Sequence, residues 1–215
     1  MTNAEILSYI DHTVLKQDAK WEDIAQICEE ALRYGTASVC IPSYYVRRAK
    51  TAYPALNVCT VIGFPLGYQP GNVKAFEAAE AVSDGADEID MVINVSALKN
   101  GEDQVVLDEI KAVRKACENQ VLKVIIETCC LTEDEKIRCC GLVTEGGADY
   151  IKTSTGFGSA GAQLEDIALF KKHIGENVKI KAAGGIRTRE QMEAFLDAGC
   201  SRIGCSAARI LFDEA

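Results

Sequence analysis

The sequence is poor in histidine, with His12 and His173 as the two members among 215 residues. A site built from clustered imidazole metal ligands is therefore disfavoured. Long apolar runs are also lacking, and none approaches the ~20 residues that cross a membrane. Basic residues are outnumbered, since 23 lysines and arginines face 32 acidic residues, for a net charge of −9. This acidic balance argues against binding to nucleic acid or to an anionic membrane surface.

The start of the chain lacks the features of a secretory signal. Residues 1–10 carry neither a basic start nor a long apolar run, so we expect a cytoplasmic protein whose thiols stay reduced. The ten cysteines fit this expectation, because most stand in apolar stretches and none shows the CxxC spacing of a zinc knuckle. We expect them to serve as small buried hydrophobic residues. The alternative, redox regulation, has no support in their spacing.

Short apolar runs alternate with amphipathic helical patterns along the whole chain. Strict βα alternation implies parallel strands joined by right-handed crossovers. Eight such units predict an α/β fold, a (β/α)8 TIM barrel with a short N-terminal helix, formed by a single domain over residues 1–215. The predicted strands span residues 9–14, 37–41, 57–63, 88–93, 122–127, 150–155, 179–184 and 202–206.

Turn and cap residues punctuate this pattern. Thr132 and Thr188 are predicted N-caps, the second with Gln191 at the capping-box position, and another helix is predicted over 163–174. Gly85, Gly147 and Gly199 follow helices and precede strands, where a left-handed cap is favoured. A doubly wound open sheet is the alternative, but it favours a glycine-rich turn after the first strand, and residues 11–16 contain no glycine.

Charged residues interrupt the apolar strands at Asp90, Lys152 and Lys181. Such residues are rarely buried unless they are paired or functional. A parallel barrel has no edge and helices cover its outer face, so these side chains are predicted to point inward. The alternation of strand 5 adds Lys123 and Glu127 to the interior. A buried ion-pair network without catalytic function is the structural alternative.

Lysines in a barrel interior suggest amine chemistry. A lysine in a pocket of low dielectric beside a second ammonium is expected to have a lowered pKa. The neutral amine can attack a carbonyl carbon and form a Schiff base, while a nearby carboxylate or ammonium carries protons. This chemistry requires neither a metal nor a cofactor.

Glycines cluster after the last three predicted strands. Gly156 follows strand 6, Gly184 and Gly185 precede a helix after strand 7, and Gly204 lies between strand 8 and a predicted final helix. Glycine lets backbone N–H groups approach an anion, and barrels often bind phosphate in their last two loops. Each glycine alone could serve only its turn, but together they favour a phosphate site.

Several segments together resemble the 2-deoxyribose-5-phosphate aldolases, which are class I Schiff-base aldolases on a (β/α)8 barrel. The resemblance covers nearly the whole chain. Its most specific parts are a lysine followed by Thr-Ser-Thr-Gly and a lysine followed, after two residues, by Gly-Gly. The matching segments are residues 10–13, 85–92, 122–128, 150–157 and 181–187.

The resemblance implies a function for each matching position. Lys152 corresponds to the Schiff-base lysine, Asp90 and Lys181 to the pair that donates and accepts protons, and Asp11 to an acid that steadies Lys181. The implied reaction is reversible cleavage of 2-deoxy-D-ribose 5-phosphate to glyceraldehyde 3-phosphate and acetaldehyde, in deoxynucleoside catabolism. A homodimer is also implied. The remaining positions implied to bind or support substrate are Thr155, Gly156, Gly184, Gly185, Arg187, Gly204 and Ser206.

The sequence departs from some family members at three places. Phe157 and Ala207 replace residues that can contribute side chains to phosphate binding, and residues 212–215 lack a tyrosine-ended tail. Other functions remain open on the residues alone: a Schiff-base lyase for another phosphosugar, a sugar-phosphate binding protein, or an isomerase that uses Asp90 as base. The isomerase leaves both strand lysines unused. A metal-dependent aldolase is disfavoured by the scarcity of histidine.

Overall fold

Eight parallel strands form a closed barrel in the computed structural model, which describes the backbone of residues 1–214 and the side chains of residues 1–212. Each strand pairs with the next in the sequence, and the last pairs with the first. The predicted barrel is thus confirmed, and the open-sheet alternative is wrong. The strands are β1 (Ile10–Thr13), β2 (Ser38–Ile41), β3 (Val58–Ile62), β4 (Glu88–Val92), β5 (Val121–Ile125), β6 (Tyr150–Lys152), β7 (Lys179–Ala183) and β8 (Arg202–Cys205).

Helices follow the strands and surround the barrel. The short N-terminal helix, predicted from the sequence, is α1, and Thr2 caps it through a capping box with Glu5. Short 3-10 helices cover Ser43–Tyr45, Thr128–Cys130 and Ala208–Glu214. The α-helices are α1 (Asn3–Leu7), α2 (Trp21–Tyr34), α3 (Val46–Ala52), α4 (Gly71–Ser83), α5 (Val95–Lys99), α6 (Asp103–Ala116), α7 (Glu133–Glu145), α8 (Leu164–His173) and α9 (Arg189–Asp197).

The predicted helix starts agree with the structure at two capping boxes. The Thr132 hydroxyl accepts from the Glu135 N–H at the start of α7, and the Thr188 hydroxyl accepts from the Gln191 N–H at the start of α9. A final helix follows β8 as predicted, and it is a 3-10 helix over Ala208–Glu214. The Asn3 side chain donates to the Leu211 carbonyl at 3.1 Å and so ties this short segment to α1.

Strand alternation separates an apolar outer layer from a charged barrel interior. Ile89 and Met91 of β4 join the main core between strands and helices, whereas Asp90 between them points inward and is fully buried. A second, small apolar cluster contains Cys40 and Cys59. Within the described part of the chain, no helix combines the length and apolar character needed to span a membrane.

The cysteines behave largely as expected. Eight of the ten are buried, while Cys129 is half-buried and Cys130 is exposed in the turn after β5. All ten are free thiols. Burial of a thiol in apolar surroundings raises its pKa, as at Cys28, where desolvation raises it to about 12. Cys28 is thus an unreactive packing residue.

Candidate active site

The Asp90 carboxylate lies at the centre of the barrel interior and contacts three lysines. Its Oδ2 accepts from Nζ of Lys152 at 2.7 Å and from Nζ of Lys181 at 2.6 Å, while its Oδ1 accepts from Nζ of Lys123 at 2.8 Å. The strand register produces this meeting, because Asp90 stands opposite Lys123 across β4 and β5, and Lys152 stands opposite Lys181 across β6 and β7. The three residues predicted to be catalytic are therefore in direct contact.

Asp11 of β1 supports Lys181 from the other side. Its Oδ2 accepts from Lys181, and its Oδ1 accepts from Arg202 at 2.5 Å and from the Ser38 hydroxyl at 2.8 Å. Asp11 is fully buried. Its predicted position beside the second lysine matches the structure.

A third carboxylate, Glu88, completes the network. It forms an ion pair with Lys123 and accepts from Arg202 at 3.0 Å and from the Asn57 amide at 2.8 Å. Glu88 and Arg202 were not predicted, because both stand at the amino end of a strand, where charged residues are usually solvated. Lys123 lies in the interior as predicted, but no function was predicted for it. The barrel interior thus holds three carboxylates and four cationic groups.

The charges in this network determine one another's protonation. Burial alone raises the pKa of Asp90, but Lys123, Lys152 and Lys181 outweigh it and hold that pKa well below its usual range. Burial alone lowers the pKa of Lys181, but Asp11 and Asp90 raise it above the ordinary lysine value. Lys123 is shifted in the same direction by its carboxylate neighbours. The expectation of a lowered lysine pKa is therefore wrong for Lys181 and Lys123, because close carboxylates outweigh repulsion between ammonium groups.

Lys152 differs from the other two lysines in its partners and its exposure. It contacts one carboxylate, whereas Lys181 contacts two and Lys123 contacts three. It is 3% exposed, while the other two are completely buried. Lys152 is thus the amine with the fewest ion pairs and the one of the three that solvent reaches.

Acid is expected to destabilise the fold through Asp11 and Asp90. Their folded-state pKa values lie below the unfolded value of about 3.9, so their contribution is complete above that pH. As the pH falls further, the unfolded chain binds protons that the folded chain does not, and the free energy of unfolding decreases. Urea titrations from pH 5 to pH 3 should show this loss. The Asp11→Asn variant should show a shallower pH dependence, and identical slopes would contradict the assignment.

Glu127 fixes the loop between β6 and α8. It is the one non-glycine residue with positive φ (54°) along the described backbone, and it is buried just beyond the end of β5. Its carboxylate accepts from the Thr155 hydroxyl and, at 3.2 Å, from the Thr155 N–H. The Thr155 hydroxyl in turn accepts from the Phe157 N–H at 3.0 Å. Glu127 was predicted to share the interior with Lys123, but it lies at the mouth and orients this loop.

The predicted phosphate glycines occupy neighbouring loops at the carboxyl ends of the strands. Gly156 and Gly184 have φ values of 88° and 85°, and a Cβ on Gly184 would lie 3.4 Å from the Gly156 Cα. Gly185 and Arg187 are exposed on the loop after β7, and Ser206 is exposed on the loop after β8. These loops thus present glycine backbone at the open end.

Gly204 lies within the strand predicted over 202–206, and its assignment to a loop after that strand is wrong. It lies inside β8, and a Cβ there would approach the Lys181 Cε to 3.3 Å and the Ala183 Cβ to 3.0 Å. The absence of a side chain therefore makes room for Lys181. Gly204 thus contributes to packing inside the barrel.

His12 takes no part in this cluster. It alternates with Asp11 along β1 and therefore points outward, where its Nε2 lies 2.7 Å from Oε2 of Glu30 on α2. His12 is buried there, between β1 and α2.

The fold and site define a class of protein: a parallel barrel that encloses lysine amines around one buried carboxylate and carries glycine-rich loops at its open end. Residues 5–209 match the family model described as "DeoC/LacD family aldolase". The chain belongs to this family.

Known relatives align with this chain over nearly their whole lengths. A protein of Clostridium botulinum (strain Eklund 17B / Type B) named "Deoxyribose-phosphate aldolase" is 57% identical over 209 residues, covering 97% of this chain and 95% of the relative. A Clostridioides difficile (strain 630) protein of the same name is 53% identical over 211 residues, covering 97% and 96%.

Solved structures give the same result. A tetrameric deoxyribose phosphate aldolase from Aeropyrum pernix superposes with a TM-score of 0.92 at 28% identity, covering 99% of this chain and 91% of the other. An aldolase called QR15 superposes with a TM-score of 0.92 at 39% identity, covering 95% and 92%.

Proposed function

We propose that this chain catalyses the reversible cleavage of 2-deoxy-D-ribose 5-phosphate to D-glyceraldehyde 3-phosphate and acetaldehyde through a lysine Schiff base. The observation that carries this proposal is the Asp90 carboxylate, which Lys152 and Lys181 share at 2.7 and 2.6 Å. Such an arrangement supplies an amine nucleophile and proton carriers within one hydrogen-bond distance.

In the proposed reaction, the Lys152 amine adds to the C1 carbonyl of the open-chain sugar. Loss of water gives the protonated imine, and removal of the C3 hydroxyl proton breaks the C2–C3 bond. Glyceraldehyde 3-phosphate leaves, the C2–C3 electron pair becomes the C1=C2 double bond, and the imine electrons return to the nitrogen, which leaves a neutral enamine attached to Lys152. Protonation at C2 and hydrolysis then release acetaldehyde and restore the amine.

Asp90 and Lys181 carry protons in these steps. Asp90 contacts both lysines, so a proton can pass between its carboxylate and either amine without diffusing through solvent. Asp11 is a positioning residue, because it accepts a hydrogen bond from Lys181 and keeps that ammonium beside Asp90.

The substrate phosphate is proposed to bind the loops at the open end. Gly156, Gly184 and Gly185 offer backbone that a side chain does not cover, and exposed Arg187 adds positive charge. Ser206 adds a hydroxyl group on the loop after β8. Thr155 supports the site indirectly, because its single hydroxyl proton is donated to Glu127.

A change at Glu127 should affect the phosphate end of the substrate. Glu127→Gln weakens the two hydrogen bonds that hold Thr155, so the loop that carries Gly156 becomes less ordered. We expect KM for the phosphorylated sugar to rise about tenfold, which corresponds to ~1.4 kcal/mol, while cleavage of unphosphorylated 2-deoxyribose changes little. Steady-state kinetics with both sugars measure this difference. An equal loss with both sugars would assign Glu127 to the reacting end instead.

Reductive trapping tests the proposed function. Incubation with acetaldehyde and borohydride reduces the imine, and digestion followed by mass spectrometry should locate one ethyl group on Lys152. Trapping should be insensitive to a chelator. A phosphosugar isomerase that uses Asp90 as base would leave no such adduct, and an adduct on Lys181 alone would reverse the assignment of the two lysines.

The proposed partners are the phosphosugar and acetaldehyde, together with a second copy of the chain in a homodimer. The proposed location is the cytoplasm, and eight buried free thiols support it, since a reducing compartment keeps such groups unpaired. Size-exclusion chromatography with light scattering tests the dimer, and a monomeric mass would contradict it.

A further inference from the structure

Two cysteines stand inside the barrel beside the catalytic cluster and have no function in the proposed reaction. Cys40 of β2 and Cys59 of β3 are register partners across neighbouring strands, and both are buried. We call them the thiol pair. The Cys59 thiol lies 3.2 Å from Asp90 Oδ1 and 3.3 Å from Lys123 Nζ.

The geometry points to a binding site for a thiophilic divalent metal ion, formed by Cys40, Cys59 and Asp90. Their three donor atoms all lie within 4.8 Å of one another. Zn–S bonds of about 2.3 Å and a Zn–O bond of about 2.1 Å at tetrahedral angles would separate the donors by roughly 3.6–3.8 Å. The side chains therefore need to move by less than an ångström or so, and two sulfur donors favour a soft ion such as Zn²⁺ or Cd²⁺.

The charge of the barrel interior permits such an ion. Binding of M²⁺ converts two neutral thiols into two thiolates and releases two protons, so the net charge of the interior does not change. Four cationic groups and three carboxylates remain around the ion as before. The bound ion thus avoids adding charge to a region that already has an excess of cations.

Two half-buried apolar side chains cover the site. The thiol pair belongs to a small apolar cluster with Val61, and Leu15 and Phe64 pack against that cluster. An ion therefore reaches the thiols when these two side chains move aside. Once bound, it takes Asp90 Oδ1 as a ligand and displaces Lys123 from that oxygen, while Oδ2 stays beside Lys152 and Lys181. A carboxylate that ligates a cation is a weaker proton acceptor, so the ion inhibits proton transfer between the two lysines.

Spectroscopy of the substrate-free protein tests the site without reference to activity. Titration with Cd²⁺ should produce a thiolate-to-cadmium charge-transfer band that saturates at one ion per chain. The band should disappear in Cys59→Ala and in Cys40→Ser, while Cys129→Ser/Cys130→Ser should retain it, because those cysteines lie outside the barrel. Far-ultraviolet circular dichroism checks that each variant is folded. If one single variant does not fold, the other, on a different strand, still tests the site.

Inhibition provides the second readout. Cd²⁺ should inhibit sugar cleavage, EDTA should restore it, and Cys59→Ala or Cys40→Ser should raise the inhibition constant at least about tenfold relative to each variant's own uninhibited rate. Absence of the band in the wild-type protein would overturn the proposal. A band that persists in both folded single variants, or that is lost only in Cys129→Ser/Cys130→Ser, would also overturn it.

Discussion

Lys152→Met is expected to abolish cleavage of 2-deoxyribose 5-phosphate, lowering kcat by about 10³-fold or more. Methionine keeps an unbranched side chain of similar length but provides no amine to form the covalent intermediate. The fold should survive, because Lys152 has a single ion-pair partner and its removal leaves three carboxylates facing three cations. KM should change little, since the loops proposed to bind phosphate are untouched. Steady-state kinetics and a urea titration measure both expectations.

Lys123→Met is the matched control for this variant. It removes the same charge from the same cluster, yet Lys123 is not the proposed nucleophile. We expect a smaller loss of kcat, and acetaldehyde with borohydride should still label Lys152. A Lys152→Met protein that keeps full activity, or a Lys123→Met protein that no longer forms the adduct while remaining folded, would contradict the assignment of the nucleophile.

Asp90→Asn should affect both catalysis and folding. Loss of the shared carboxylate removes the proton carrier between Lys152 and Lys181, so kcat is expected to fall by about 10²–10⁴-fold. The variant also leaves four buried cations with two carboxylates. Removing one partner of a buried ion pair typically costs about 3–5 kcal/mol, and the free energy of unfolding should fall by an amount near the lower end of that range.

The double variant Asp90→Asn/Lys152→Met separates charge imbalance from loss of packing. Removal of one ammonium along with the carboxylate lowers the excess of cations, so the double variant should unfold at a higher urea concentration than Asp90→Asn alone. Coupling between contacting residues is commonly about 0.5–3 kcal/mol. Strict additivity of the two single effects would show that the ion pair between Asp90 and Lys152 contributes nothing to stability.

Prediction from the sequence succeeded where a periodic pattern decides the outcome. The alternation of apolar strands and amphipathic helices predicted the barrel, and the two-residue period of a strand predicted that Asp90, Lys152 and Lys181 point inward. Capping at Thr132 and Thr188 was predicted because the interaction joins residues three positions apart. It failed for Glu88 and Arg202, whose partners lie on other strands of the closed barrel.

The sequence by itself determined that Asp90, Lys123, Lys152 and Lys181 enter the barrel interior, because strand periodicity and the lack of a sheet edge exclude a solvated position for these side chains. Only the tertiary structure decided how the groups meet. Asp90 and Lys181 are 91 positions apart in the chain but lie 2.6 Å apart in the barrel. The raised pKa of Lys181 and the juxtaposition of Cys59 with Asp90 follow from such distances. Both depend on the register of neighbouring strands after closure, and no local pattern encodes that register.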